Sequence, residues 1–341
     1  MTFDRRYFSR QLVLGDFGSS AQERLAGSRV LVAGLGGTGS LVATNLSLAG
    51  VGRLTLLDRD VVSIENLHRQ PIYSLKDVGM AKAEVAAGYL SQRVKGYAVD
   101  YSTESLDRNN ASGLLDGVDL AVDCLDGMEA RLALNAACAA KGVPMVHTGA
   151  VGWEASVAAF WARRGACLEC VFPEADPRLP SCEEVGVLGA VTSLAGSLGA
   201  LEATKLLAGM PSSLLGKMLY FDGRSFDFRV VGLQKRSGCR ACGSGPQRAT
   251  REAAIRLCGN EEFYLTQVFP RRSFASLTSV LNERATAKGD SVILLREGKM
   301  EVSLFRSGNA LVKGAPSADE ASNAVRRFLA IASLGPAPGN A

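Results

Sequence analysis

Eight cysteines occur in this 341-residue chain, and four of them form two Cys-x-x-Cys pairs. Cys167 pairs with Cys170, and Cys239 pairs with Cys242. Four thiolates in two such pairs are the tetrahedral ligand set of structural zinc, provided that the fold brings the distant pairs together. The alternatives are a redox dithiol or plain buried cysteines. Because four thiolates close the coordination shell, we expect this zinc to stabilise the fold without taking part in chemistry.

A glycine-rich segment, Gly34-x-Gly36-Gly37-x-Gly39, lies between a predicted buried strand and a predicted helix. In that position, backbone N–H groups and the helix dipole can bind phosphate. Asp58 ends the next predicted strand, where its carboxylate would accept hydrogen bonds from a ribose hydroxyl. These features alone fit NAD about as well as ATP, and a tight turn that binds nothing is a third interpretation.

Charged residues further along the chain favour ATP over a dinucleotide. Arg10, Arg69 and Lys82 supply the number of cations that a triphosphate requires, because charge develops between its phosphates during reaction. Asp126 ends another predicted strand and offers an oxygen ligand for Mg²⁺. Each residue alone also fits a plain role as a surface ion-pair partner, part of a solvated helix face, or a helix N-cap. Their ordered combination indicates an ATP·Mg²⁺ site.

A fifth cysteine, Cys182, lies in a polar segment just before a long stretch of small residues, 185–201, which we predict to be a buried helix. A thiol near a helix N-terminus can act as a nucleophile, and an incidental loop cysteine is the alternative. Cys124, Cys138 and Cys258 are interpreted as buried small hydrophobic residues.

The chain has only two histidines, so chemistry based on histidine has little support. Chemistry whose nucleophile is already ionised, such as a carboxylate, needs no histidine base.

Alternating strand and helix patterns predict the elements that would position these groups. They indicate an α/β fold with a doubly wound, mostly parallel sheet. Strands are predicted at 29–33, 53–57, 97–101, 120–124, 144–148, 156–162 and 217–231, and helices at 19–26, 40–49, 79–93 and 129–141. A linker rich in Gly at 237–248 divides the chain into residues 1–248 and a small α+β domain at 249–341. In that domain we predict strands at 291–295, 301–306 and 310–313, then a helix capped by Ser317.

Several motifs occur in a fixed order: Arg6-Tyr7…Arg10-Gln11, Gly34-Leu35-Gly36-Gly37-Thr38-Gly39, Asp58-Arg59-Asp60, Asn66-Leu67-His68-Arg69-Gln70, Lys82 and Asp123-Cys124-Leu125-Asp126. This order resembles the ThiF/MoeB/HesA family of ubiquitin-activating-enzyme-like adenylyltransferases, whose fold is Rossmann-like. The resemblance covers residues 5–245. Two departures are visible: Gly127 stands where the family usually has Asn, and two residues separate Tyr7 from Arg10 where the family has one.

The resemblance assigns roles to residues of this chain. It implies ATP binding by the glycine segment, Asp58, Asp60, Asn66, Arg69, Gln70 and Lys82, with Asp126 on Mg²⁺. It also implies a homodimer in which Arg10 reaches the phosphates of the other subunit. Many relatives hold zinc with the four paired cysteines, and some use the cysteine that matches Cys182 in thioester or acyl-disulfide chemistry.

We therefore predict an enzyme that adenylates the C-terminal carboxylate of a ubiquitin-like or sulfur-carrier protein ending in Gly-Gly. The acyl group would pass to Cys182, or to an external sulfur or amine acceptor, with a conjugating enzyme or sulfur donor as a further partner. The alternatives are an NAD(P)-dependent oxidoreductase, a tRNA-modifying dehydratase on the same core, and a non-catalytic scaffold.

The composition limits the partners. The net charge of +4 is too small to indicate nucleic-acid binding. The start of the chain has no basic and apolar segments typical of secretion, and no stretch predicts a membrane span, so we expect a cytoplasmic protein. Residues 249–341 carry no catalytic motif. We expect them to dock the carrier or a conjugating protein, with dimer stabilisation as the alternative.

Overall fold

A computed structural model describes residues 3–94, 96–173, 185–243, 254–256 and 262–332 of the chain. Cys182 and Cys258 lie outside the described residues. Two sheets organise the rest: an eight-stranded sheet of order β3-β2-β1-β4-β5-β6-β7-β8 and a six-stranded sheet of order β11-β12-β13-β14-β10-β9. The strands of the first sheet are β1 Arg29–Ala33, β2 Arg53–Leu57, β3 Ala98–Ser102, β4 Leu120–Asp123, β5 Met145–Val151, β6 Glu154–Phe160, β7 Lys217–Asp222 and β8 Asp227–Gly232.

The first sheet is doubly wound, as predicted. Strands β3, β2, β1, β4 and β5 are parallel, and β6, β7 and β8 continue the sheet in antiparallel order. The central strands β1, β2 and β4 are mostly buried on both faces, which explains their apolar runs, whereas the edge strands β3 and β8 are largely half-exposed or exposed. The helices around it are α1 Ser9–Leu12, α2 Gly18–Gly27, α3 Gly39–Ala49, α4 Lys82–Ser91, α5 Ala111–Leu114, α6 Met128–Lys141, α7 Leu168–Val171 and α8 Gly189–Leu207, with 3₁₀ turns at Ile64–Asn66 and Leu75–Asp77.

Alternation along β1 shows how the two layers form. Val30 and Val32 pack with residues of α3, α4 and α8 on one face, whereas Leu31 and Ala33 pack with residues of α5 and α6 on the other. Because successive side chains of a strand point to opposite faces, one short segment anchors both helical layers. The carboxyl ends of the parallel strands consequently meet at one edge of the sheet, between the layers.

The predicted element boundaries need two adjustments. The helix predicted at 79–93 begins only at Lys82, because Gly79 has a φ of +87° that does not belong in a helix. The strand predicted at 217–231 is two strands joined by a tight turn in which Phe226 has a φ of +60°. The predicted buried helix at 185–201 exists as α8. Within the described part of the chain, no helix combines the length and apolar character that crossing a membrane requires.

The second sheet is antiparallel with its own apolar core between the sheet and two helices. Its last helix begins after Ser317, whose Oγ accepts a hydrogen bond from Glu320 N at 3.2 Å, as an N-cap does. The elements are β9 Ala254–Arg256, β10 Glu262–Leu265, β11 Ala285–Lys288, β12 Val292–Glu297, β13 Met300–Phe305, β14 Ala310–Lys313, α9 Phe274–Leu281 and α10 Ala318–Ile331, with a 3₁₀ turn at Arg271–Ser273.

Candidate active site

A cavity lies at the carboxyl ends of β1, β2, β3 and β4. This is the edge at which open α/β sheets bind ligands, because the loops after neighbouring strands separate there. Six of the predicted site residues line it: Gly34, Gly36, Asp58, Asp60, Lys82 and Asp126. The cavity walls are completed by Leu57, Arg59, Glu104, Ser105, Leu106, Cys124, Leu125 and Ala130.

The glycines of the loop after β1 serve different purposes. Gly34 has a φ of +87°, and a Cβ there would lie 2.5 Å from the carbonyl oxygen of Cys124. A Cβ on Gly39 would overlap the carbonyl oxygen of Gly34, and one on Gly37 would lie 2.8 Å from Thr192 of α8. Gly36 differs, because a Cβ there would meet only Gln70 Nε2, at 3.7 Å. Gly36 therefore leaves space on the cavity side, where a ligand phosphate would approach the backbone.

Asp58 fixes the loop as well as lining the cavity. Its Oδ2 accepts a hydrogen bond from Leu35 N at 2.7 Å, and its Oδ1 accepts one from Asp60 N at 2.8 Å. Burial raises the pKa of Asp58 to about 6, against the opposing effect of Lys82. A carboxylate has about four acceptor positions, so two backbone bonds leave capacity for a ribose hydroxyl.

Lys82 and Asp60 form an ion pair at the cavity wall. Lys82 Nζ lies 2.9 Å from Asp60 Oδ2, and the lysine side chain is buried. Burial alone would raise the pKa of Asp60, but Lys82 and then Lys313 outweigh it and hold that pKa far below its usual value. Burial opposes the charge of Lys82, yet Asp60 and Asp58 keep its pKa above the ordinary one. The cavity thus contains a permanent cation for phosphate oxygens.

A buried polar network holds the segment that carries Asp126. Asp123, at the end of β4, has no exposed surface; its Oδ2 lies 2.7 Å from His147 Nδ1 and 3.0 Å from Arg131 Nε. Arg131 also donates to the carbonyl oxygen of Leu125, and Leu125 N donates to Asp123 Oδ1. Asp126 itself is exposed and makes no hydrogen bond or ion pair with the part of the chain that the structure describes.

Asn66, Arg69 and Gln70 were predicted to bind the nucleotide but do not line the cavity. Asn66 Oδ1 accepts a hydrogen bond from Ser63 N, so its side chain caps a 3₁₀ turn. Arg69 Nη1 donates to the carbonyl oxygen of Glu65. Gln70 is buried beside Gly36, and its Oε1 has no hydrogen-bond partner among the described residues. A buried acceptor without a partner is costly, so Gln70 is the one of the three that a ligand donor would satisfy.

Arg10 lies apart from the cavity on the short helix α1. Gln11 holds this helix in place by donating to Ala49 O at 2.9 Å, and the buried Phe8 packs beneath it. The Arg10 side chain is exposed and forms neither a hydrogen bond nor an ion pair within the described ranges. The Arg10 side chain therefore does not contribute to the cavity of its own chain.

The four paired cysteines come together, as the zinc prediction requires. Their sulfur atoms all lie within 4.8 Å of one another, with Cys167 Sγ to Cys239 Sγ at 3.6 Å and Cys170 Sγ to Cys242 Sγ at 3.5 Å. Sulfurs at the corners of a tetrahedron with Zn–S bonds of about 2.3 Å are about 3.8 Å apart, so the cluster fits zinc. Asn135 supports it by donating to Cys167 Sγ at 3.7 Å and accepting from Leu168 N at 2.9 Å.

Several cavity residues are not predicted as site residues by the sequence, among them Arg59 and the segment after β3. Arg59 belongs to the Asp58-Arg59-Asp60 motif, and its Nη1 donates to Ser105 Oγ at 3.0 Å. Glu104, Ser105 and Leu106 follow β3 and form the wall at the far side of Asp58. No spacing or motif marks them, since only the tertiary structure places this segment at the cavity. Arg59, with its fixed spacing from Asp58, was the one that sequence reasoning could have found.

The family model described as "ThiF family" matches residues 8–241. The chain belongs to the ThiF family. Among curated relatives, it is 36% identical over 260 residues to the adenylyltransferase and sulfurtransferase MOCS3 of Caenorhabditis briggsae, covering 75% of this chain and 65% of that protein. It is 37% identical to MOCS3 of Xenopus laevis, covering 74% and 57% of the two chains. This ThiF-family chain thus matches only about half to two thirds of these relatives' length.

Solved structures agree on the fold. The crystal structure of E. coli MccB superposes with a TM-score of 0.61 at 21% identity, covering 73% of this chain and 75% of that chain. The structure of E. coli MccB with ATP gives a TM-score of 0.57 at 22% identity, covering 66% and 68%. The ThiF-type α/β architecture is therefore shared between them.

Proposed function

We propose that this protein is an adenylyltransferase that uses ATP to activate the C-terminal carboxylate of a ubiquitin-like or sulfur-carrier protein. The observation that carries the proposal is the single cavity in which Gly36, Asp58, the buried Lys82–Asp60 pair and Asp126 meet. The names of the MOCS3 relatives and the ATP-bound structure of E. coli MccB support the same chemistry.

The arrangement fits a reaction that needs positioning and charge stabilisation. A carboxylate oxygen of the carrier attacks the α-phosphorus, the bond from that phosphorus to the bridging oxygen breaks, and pyrophosphate leaves. Lys82 offers a cation to the phosphates, and Gly36 allows them close to the loop after β1. Asp58 offers acceptor positions to ribose hydroxyls.

Two metal ions belong to the proposal. The exposed, unpaired carboxylate of Asp126 fits Mg²⁺, which would offset negative charge on the departing pyrophosphate. Gly127, which replaces the family's usual Asn, is the N-cap residue of α6 and leaves Asp126 at the cavity, so this departure does not displace the carboxylate. The four clustered cysteines would hold zinc in a closed shell that stabilises the fold.

We further propose a homodimer in which Arg10 of each subunit serves the other's cavity, since its side chain has no role at its own. Cys182 would then attack the acyl-adenylate, form a thioester and release AMP, and a sulfur donor or conjugating enzyme would act next. An oxidoreductase has less support, because it gives Lys82, Asp60 and Asp126 no purpose. The tRNA-modifying dehydratase would use the same cavity, and the small net charge of +4 argues against a tRNA acceptor. A non-catalytic scaffold would leave the charged residues of the cavity without a purpose.

Exchange of labelled pyrophosphate into ATP tests the adenylation. We expect exchange only when a carrier ending in Gly-Gly is present, and none with the same carrier after removal of its last glycine. A folded, zinc-loaded protein that supports no exchange with any such carrier would contradict the proposal. The Cys182→Ala variant should keep exchange and lose the thioester; full acyl transfer by this variant would remove Cys182 from the mechanism while leaving adenylation in place.

A further inference from the structure

The second sheet packs directly behind the cavity. Val61 and Ala81, the neighbours of Asp60 and Lys82, are bridged to each other and lie in one buried apolar cluster with Tyr264, Val292, Phe305 and Leu311 of the second sheet. Lys313 of β14 also acts electrostatically on Asp60. The segments that carry the Lys82–Asp60 ion pair are therefore packed against residues of the second sheet.

Tyr264 of β10 makes the most specific contact between the two parts. Its side chain is fully buried, and its hydroxyl donates to Thr103 O at 3.1 Å. The same oxygen accepts from Ser105 N at 3.2 Å and from Asn309 Nδ2 at 2.9 Å. One donated and two accepted bonds use the full capacity of a phenol. The tyrosine thus holds the backbone on both sides of Glu104.

The held segment is the outer wall of the cavity. Glu104, Ser105 and Leu106 line it beyond Asp58, on the side away from the glycine loop, because the sheet order is β3-β2-β1-β4. A nucleotide with its phosphates at the glycine loop and its ribose at Asp58 places its base against this wall. Arg271, another residue of the second part, reaches the same segment by an ion pair of 2.6 Å with Glu104.

We infer that the second sheet shapes the base-binding wall of the nucleotide cavity, with Tyr264 as a positioning residue for residues 103–106. The inference rests on the proposed function. It gives the C-terminal part of the chain a role in nucleotide affinity. This role differs from the carrier docking and the dimer stabilisation expected from the sequence.

Tyr264→Phe tests the inference, because it removes only the hydroxyl and keeps the ring packed. We expect the Kd for ATP to rise roughly five- to tenfold, from the loss of bonds to Thr103 and Ser105. The Kd for inorganic pyrophosphate should stay unchanged, since pyrophosphate would bind at the glycine loop, Lys82 and Asp126 and would not reach residues 103–106. Both are measured by calorimetry on the full-length, zinc-loaded protein.

Glu84→Gln is the matched control. Glu84 joins the same two parts by accepting from Asp290 N at 2.8 Å and from Ser291 N at 2.9 Å, and it lies outside the cavity lining. We expect this variant to bind ATP like the wild type. Equal weakening in both variants, equal weakening of pyrophosphate, or unchanged ATP affinity in Tyr264→Phe would overturn the inference.

A second variant covers the case in which Tyr264→Phe does not fold. Arg271→Ala breaks the exposed ion pair to Glu104, and we expect about twofold weaker ATP binding at unchanged pyrophosphate affinity. A folded Arg271→Ala protein with wild-type ATP affinity would then overturn the inference. Wild-type protein that fails to bind ATP at all contradicts the proposed function itself, whereas binding that is insensitive to these residues contradicts only the role of the second sheet.

Discussion

Gly36 and Gly39 lie three residues apart in the same loop, but the chain requires them for different physical reasons. Gly39 is a packing requirement, since a Cβ there would overlap the Gly34 carbonyl oxygen. Gly36 faces open space in the cavity, with only Gln70 Nε2 nearby at 3.7 Å. The sequence pattern does not show whether a glycine is needed for close packing of the backbone or for the approach of a ligand. Only the atoms around each glycine in the structure distinguish these two roles.

This difference predicts opposite outcomes for two alanine substitutions. Gly36→Ala should leave the unfolding temperature unchanged and weaken ATP binding at least tenfold, because the added methyl group occupies the space for phosphate. Gly39→Ala should destabilise the protein by roughly 2–4 kcal/mol, because the backbone must shift. Thermal unfolding and ATP calorimetry of both variants measure this. Gly36→Ala with wild-type ATP affinity would show that phosphate does not approach this glycine.

At the residue scale, the structure brings together those predicted residues that lie close to the end of a regular element. Gly34, Gly36, Asp58, Asp60, Lys82 and Asp126 all line the cavity, because each lies within three residues of the end of a strand or at the start of a helix. Asn66 and Arg69 do not line it, because the irregular segment after β2 turns these side chains towards its own backbone. The spacing of residues within an irregular loop carries no such directional information.

At the scale of elements, the paired cysteines show how two short motifs depend on a helix that neither contains. Asn135 of α6 contacts both Cys167 Sγ and Leu168 N, so the helix orients the first Cys-x-x-Cys turn. Partners of metal ligands commonly fix ligand orientation. The ion pair of 3.2 Å between Glu169 and Arg240 joins this first turn to the second.

Asn135→Ala should therefore lower zinc affinity roughly tenfold, because a thiolate loses its donor and a backbone N–H loses its acceptor. Competition with a chromogenic chelator measures the affinity. Arg240→Ala is the control: it removes the half-exposed ion pair between the two turns, and we expect an effect within about threefold. Equal losses in the two variants would indicate that Asn135 acts only through general stability.

The elements themselves were predictable to different degrees. The central parallel strands β1, β2 and β4 have apolar runs because both of their faces are mostly buried, and the predicted positions of the parallel strands agree with the structure to within a few residues. In the second sheet, the sequence does not predict β9, β10 and β11, since each is only three or four residues long, and β10 also pairs with the distant β14. The wall at residues 103–106 is not predicted for a different reason. Its position is set by Tyr264, which is distant in sequence.

At the scale of the whole molecule, Arg10 carries the argument for a dimer. Its helix is anchored through Gln11 and Phe8, yet its side chain makes no hydrogen bond or ion pair within the described part of the chain. The side chain of an arginine in this position contacts either solvent or a second molecule. If Arg10 completes the cavity of a partner subunit, Lys82 and Arg10 at one site come from different chains. Each residue can then be substituted in a different chain of a mixed dimer.

Mixing two inactive variants tests this directly. Arg10→Ala and Lys82→Ala should each abolish carrier-dependent pyrophosphate exchange alone. After subunits of the two are exchanged at equal concentration, half of the dimers are mixed, and each mixed dimer holds one site with Lys82 from one chain and Arg10 from the other. Since the dimer is symmetric, exchange should recover to about a quarter of the wild-type rate. Arg10 acting within its own chain predicts no recovery, because each chain of the mixed dimer then lacks one of the two residues. A shared site therefore requires that the mixture recovers exchange activity, while the same total amount of either variant alone remains inactive.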